Sequence, residues 1–216
     1  MEPERFKVKD IFDGIIIPII LVLLIFVLAV FVNPSGSYHV LGLEGLTGTI
    51  AVIFTQGFAQ MIVLGIPLVM GLLWNKWAGG GAGWIMGSIY YLASAGLYTG
   101  YYTQAGGYNF FGDISMLFYL VNAIIIGYMA GSLNNRSTSF KRMLGAGLTA
   151  AIITAVIQVF MNYNYSLPPA QTMARGLWAD PVYGFVLAFV PSIALGVIVP
   201  ILAKVMTWYG IQPLRH

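Results

Sequence analysis

Gly14–Val32, GIIIPIILVLLIFVLAVFV, runs for nineteen positions without a charge and ends at Asn33-Pro34-Ser35-Gly36, four turn-forming residues. A helix needs roughly 20 mostly apolar residues to cross ~30 Å of hydrocarbon, so this stretch reads as a membrane span. The segment before it, Met1–Asp13, mixes acids and bases, and the apolar run offers no small-residue cleavage site. It therefore reads as a retained first helix and not a removed signal peptide. The same length criterion, carried outward, places further spans at about 48–74, 80–102, 114–133, 143–162 and 182–208. The expected fold is all-α: a polytopic bundle of six transmembrane helices, one domain over residues 1–216 with a short cytoplasmic segment at 1–13.

Composition excludes the water-soluble alternative. Of 216 residues 59% are hydrophobic and 8% charged, against about 25% charged in an average soluble domain. Ten Lys and Arg with 7 Asp and Glu cannot cover a soluble surface of this size. The 26 glycines fit helices that approach one another closely in lipid. With no cysteine there is no disulfide, thiolate metal site or Cys nucleophile. The net charge of +3 does not point to nucleic acid, because the basic residues sit in short loops beside apolar segments.

Those basic residues give the orientation. With the N-terminus inside, one side of the membrane receives Arg5, Lys7, Lys9, Lys76, Arg136, Lys141, Arg142, Lys204 and Arg215, and the other only Arg175. Cytoplasmic loops are enriched in Lys and Arg, so both termini are expected in the cytoplasm of a multi-pass plasma-membrane protein. The inner connections are short and basic. The outer ones, 33–47, 103–113 and 163–181, are longer and rich in aromatic and amide side chains. Between spans two and three lie only Trp74-Asn75-Lys76-Trp77 and the run Gly79-Gly80-Gly81, which predicts a tight helical hairpin.

Small residues recur every four positions at Gly79, Gly83 and Gly87, at Ala123, Gly127 and Gly131, and at Gly147, Ala151 and Ala155. Each series makes a smooth helix face, suited either to packing within the chain or to docking on another membrane subunit. The sequence does not say which stripe faces outward.

No charge falls in the middle of an expected span, which argues against a proton-coupled pump. No Walker-type loop is present, so the chain does not hydrolyse ATP itself. Uncharged polar residues inside spans, Gln56, Gln60, Asn122 and Gln158, suit hydrogen bonds between helices; Asn122 also lies near enough to the outer half to line a pocket. His39 and His216 fall on opposite sides, which leaves no imidazole metal site, and neither a metal nor another cofactor is expected. No nucleophile, base and orienting group can be gathered on one side, so the chain is expected not to be an enzyme.

The outer end concentrates rings and amides, the mixture that stacks a flat organic molecule and fixes it with a few hydrogen bonds. An aromatic belt at the interface is the plainer account of many of these rings. The candidate ligand-binding residues are Tyr102, Asn109, Asp113, Asn162, Arg175 and Trp178. Arg175, the only outer cation, is the natural partner of an anionic group, or of Asp180 or Glu44. Asp113 and Asp180 also suit helix N-terminal caps.

The glycine-rich opening of helix three, Trp77-Ala78-Gly79-Gly80-Gly81-Ala82-Gly83-Trp84-Ile85-Met86-Gly87, together with Ile126–Arg136, Lys141–Ala146 and Pro191–Gly196, resembles the substrate-binding S-components of energy-coupling-factor vitamin transporters. The resemblance is one of layout and composition over about two thirds of the chain. It implies a six-helix bundle with cytoplasmic termini and an outward-facing pocket for a small vitamin-like ligand. It also implies docking through small-residue faces onto a transmembrane coupling subunit driven by two ATPases. Helix one departs from the pattern, because Gly14-Ile15-Ile16-Ile17-Pro18 leads into Leu, Val, Ile and Phe where members often carry spaced alanines. Met1-Glu2-Pro3 lacks the Met-X-His start of the nickel and cobalt members. The alternative expectation is a non-catalytic accessory or assembly subunit of a larger respiratory or oxidoreductase-type membrane complex.

Overall fold

The computed structural model describes residue 20 and residues 58–102, 114–165 and 181–209. Every element among them is an α-helix: α1 Phe58–Leu73, α2 Lys76–Tyr102, α3 Ile114–Asn134, α4 Phe140–Tyr165 and α5 Pro181–Trp208. Five of the expected spans coincide with these helices, while the first, 14–32, lies outside the described residues apart from helical Ile20, as do positions 48–57 of the second. Windows in three helices are long and apolar enough to cross a membrane: Leu117–Asn134, Phe140–Met161 and Phe189–Trp208, with mean hydropathies of 1.5, 2.0 and 2.1. The protein is membrane-embedded. Large apolar side chains on the outside, among them Ile152, Val156 and Phe160 of α4 and Val190, Ile193, Val197 and Ile201 of α5, say the same. In water so many exposed apolar side chains would be a liability; in lipid they meet their own solvent.

The loops at one end are short because side chains finish the helices there. Asn75 caps α2, its Oδ1 accepting from the Trp77 and Ala78 N–H groups at 2.9 Å each. This cap restarts the chain only two residues after Leu73, so the run Gly79-Gly80-Gly81 lies inside α2 and is not part of the hairpin loop as the sequence suggested. At the next turn, Asn135 (φ 47°) and Arg136 (φ 58°) take the left-handed conformation that commonly ends a helix. Asn134, fully buried, donates through Nδ2 to the Leu72 carbonyl at 2.8 Å and the Ser137 carbonyl at 3.1 Å. It thereby satisfies one of the last carbonyls of α1, which no helical N–H can reach. Arg142 Nε does the same for the Leu133 carbonyl at 3.1 Å, and Lys204 Nζ of α5 reaches the Thr138 carbonyl at 2.9 Å.

α1 is the centre of the packing. Val63, Leu64, Pro67, Leu68, Met70, Leu72 and Leu73 are all buried against α2, α3 and α5, while Ile62, Ile66 and Val69 along one face stay half-buried. α2 packs most extensively on α3, and α4 on α5. The small-residue stripes make both contacts. A Cβ on Gly79 would collide with the Gly127 carbonyl oxygen, and one on Gly83 with the Ala123 carbonyl oxygen. A Cβ on Gly147 would lie 2.6 Å from Pro200 Cγ, and one on Gly196 3.1 Å from the Ala151 Cβ. Ala155 completes the third stripe at 1% exposure. All three stripes are spent inside the chain.

Candidate functional site

The bundle has two chemically different ends. Lys76, Arg136, Lys141, Arg142 and Lys204 stand at the end with the short turns, and the described residues include no Asp or Glu. A cavity beneath the α3–α4 turn, lined by Leu72, Leu73, Arg136, Ser137, Thr138, Met143 and Thr207, holds about 10 Å³, space for a single water molecule. No organic ligand fits there. At the opposite end α2 and α4 finish and α3 and α5 begin, and the chain between them carries most of the candidate ligand-binding residues.

Tyr102 is the last residue of α2, and Asn162 stands in the last turn of α4, both at this opposite end. Asn109, Asp113, Arg175 and Trp178 lie outside the described residues; Asp113 directly precedes α3. Within the spans, α3 and α4 make a polar contact that the sequence left as separate residues. Asn122 of α3 and Gln158 of α4 are 2% and 4% exposed, and Asn122 Nδ2 donates to Gln158 Oε1 at 2.6 Å. Asn122 Oδ1, also buried, has no hydrogen-bond partner among the described residues. An acceptor left so costs about 1–3 kcal/mol. Four residues below Gln158, Thr154 turns its hydroxyl back to the Ala150 and Ala151 carbonyls at 3.0 Å each, and contributes no donor to Asn122.

One turn before Asn122, the Tyr119 ring meets Tyr90 of α2 edge to face, the centres 5.6 Å apart at 60°. Such pairs contribute roughly 0.5–1.5 kcal/mol beyond their area and hold the rings in fixed orientations. The arrangement thus combines an amide edge that can accept an N–H or O–H with oriented rings nearby. It holds no group that could act as a general base, and no cluster of metal-binding side chains occurs among the described residues. Nothing in the spacing signalled the Asn122–Gln158 pair, which joins positions 36 residues apart; only their amide character inside apolar spans did.

No family model, curated protein or solved structure matches the chain.

Proposed function

We propose that this chain is the substrate-capture subunit of an uptake transporter, binding a small, vitamin-like aromatic or heterocyclic compound at the outer face without catalysing a reaction. The carrying observation is the buried Asn122–Gln158 pair, whose Asn122 Oδ1 has no partner among the described residues, inside the half of the bundle that leads to Tyr102 and Asn162. In this reading the chain crosses the plasma membrane six times with both termini in the cytoplasm, the basic end of the bundle facing inward. The gathering of all five described cations at that end supports the orientation. Tyr102, Asn109 and Trp178 stack on or orient the ligand with Asp113 and Asn162, and Arg175 meets an anionic group on it.

The S-component resemblance supplies the partners of this reading, a transmembrane coupling subunit and its ATPases. Because the three small-residue stripes pack within the chain, such a subunit would dock on other surfaces, for example the exposed face Val190, Ile193, Val197 and Ile201 of α5. The accessory-subunit reading drew on the same stripes for its permanent partners, so their packing within the chain removes one argument from both readings. Native mass spectrometry of protein purified gently from its own membrane tests the choice. One organic ligand of a few hundred daltons is the expected result; a fixed set of redox or structural subunits without a ligand would replace capture by the accessory role.

A further inference from the structure

The basic end has a property that topology alone does not require. Three of its cations, Lys76, Arg142 and Lys204, are held among the described residues by groups that carry no negative charge. Lys204 and Arg142 bond carbonyl oxygens, and Lys76 Nζ lies 5.6 Å from the centre of the Trp77 ring and 5.9 Å from that of Tyr128. Lys141 and Arg142 are exposed in the first turn of α4, and Lys76 opens α2. A helix dipole makes its N-terminal end positive, so these cations add to that field instead of offsetting it. Carboxylates to balance them are absent from the described residues. The same end carries exposed rings, Trp77 at 70%, Trp208 at 73% and Tyr209 at 83%, the residue types that settle at the level of lipid headgroups.

We infer that this end is a docking surface for anionic phospholipid headgroups, with Lys76, Lys141 and Arg142 meeting the phosphates while Trp77, Trp208 and Tyr209 hold it at the headgroup level. Charge complementarity decides the occupant. In a membrane-embedded chain the lipids of that leaflet surround an interfacial surface with phosphates, and clustered Lys and Arg beside membrane helices recognise them. Arginine brings a planar fork matched to phosphate; with Nε on the Leu133 carbonyl, the remaining guanidinium N–H groups of Arg142 have no partner among the described residues.

The test measures lipid retention by native mass spectrometry after equilibrating the full chain in mixed micelles of equal phosphatidylglycerol and phosphatidylcholine. The wild type should keep phosphatidylglycerol preferentially, and the preference should shrink as salt rises. The double variant K141Q/R142Q should lose about fivefold of that preference for each cation removed. Equal retention of the two lipids by the wild type, or a preference unmoved by both salt and the double variant, would overturn the inference. A wild type without preference that gains one when Glu2, Glu4, Asp10 and Asp13 are neutralised to Gln and Asn would overturn it too, and assign the surface to the chain's own N-terminal acids. The salt titration needs no variant, so it stands even if the double variant folds poorly.

Discussion

Gly79 and Gly127 meet backbone to backbone: a Cβ on Gly79 would overlap the Gly127 carbonyl oxygen, and one on Gly127 would overlap that of Gly79. Two helices reach this separation only if neither carries a side chain at the crossing, and the contact repeats one turn away where Gly83 meets Ala123. Gly127→Ala should therefore lower stability by about 1–3 kcal/mol, the usual cost of overpacking. Gly81→Ala is the control: it is exposed with open space beyond its Cα, and should be neutral or gain up to about 1 kcal/mol in helix propensity. Unfolding midpoints in one detergent compare the two, and equal midpoints would refute the seam.

The amide pair predicts coupling. Asn122→Leu and Gln158→Leu, singly and together, should give an interaction energy of roughly 0.5–2 kcal/mol, the range found for hydrogen bonds between membrane helices. If the pair also receives a ligand, Asn122→Leu should weaken retention of the co-purified compound at least tenfold while the fold survives, which separates a binding role from a purely structural one.

Asn134→Ala removes the two bonds to the Leu72 and Ser137 carbonyls and leaves a buried and a half-buried acceptor without them. A loss of about 1–3 kcal/mol is expected. Lys204→Met, whose bond to Thr138 lies near the surface, should cost less than 1 kcal/mol. The reverse order in thermal unfolding would mean that the turn is anchored from α5 instead of from α3.

Trp178→Ala and Arg175→Ala should each weaken ligand binding several-fold under the capture reading. Unchanged affinity in both, measured by titrating the identified ligand, would remove these residues from the site.

The natural chain has no cysteine, so single cysteines label without background. Ser137→Cys should react with an impermeant maleimide only after the membrane is opened, and Ser166→Cys in intact cells. The opposite pattern would invert the topology.

How far the sequence carried the fold follows from the physics at each position. Helix limits were readable to within a few residues at α3 and α5 because apolar length and flanking charge are local signals. The start of α2 was misplaced because the glycine run resembles a loop; its real role lies in a contact with α3, about fifty residues away. All three small-residue stripes were visible as spacings, yet their partners were not, since packing of Gly147 on Pro200 depends on two helices meeting. Asn122 and Gln158 were each noticed, but a polar residue inside a span does not name the one it bonds. Asn109, Asp113, Arg175 and Trp178 fall outside the described residues, and only Tyr102 and Asn162 have a place in the bundle.

The central position of α1 has a consequence for how the protein is made. Gly65 of this helix faces Leu195 and Val199 of α5, at 3.3 and 3.8 Å from where its Cβ would lie. During synthesis α1 leaves the ribosome well before α5 exists, so this flank must be shielded for the time it takes to make more than a hundred residues, by lipid, by the insertion machinery or by a chaperone. This flank of the core is therefore closed only when α5 arrives, and a nascent chain stopped before Pro181 should be recognised as unfinished by membrane quality control.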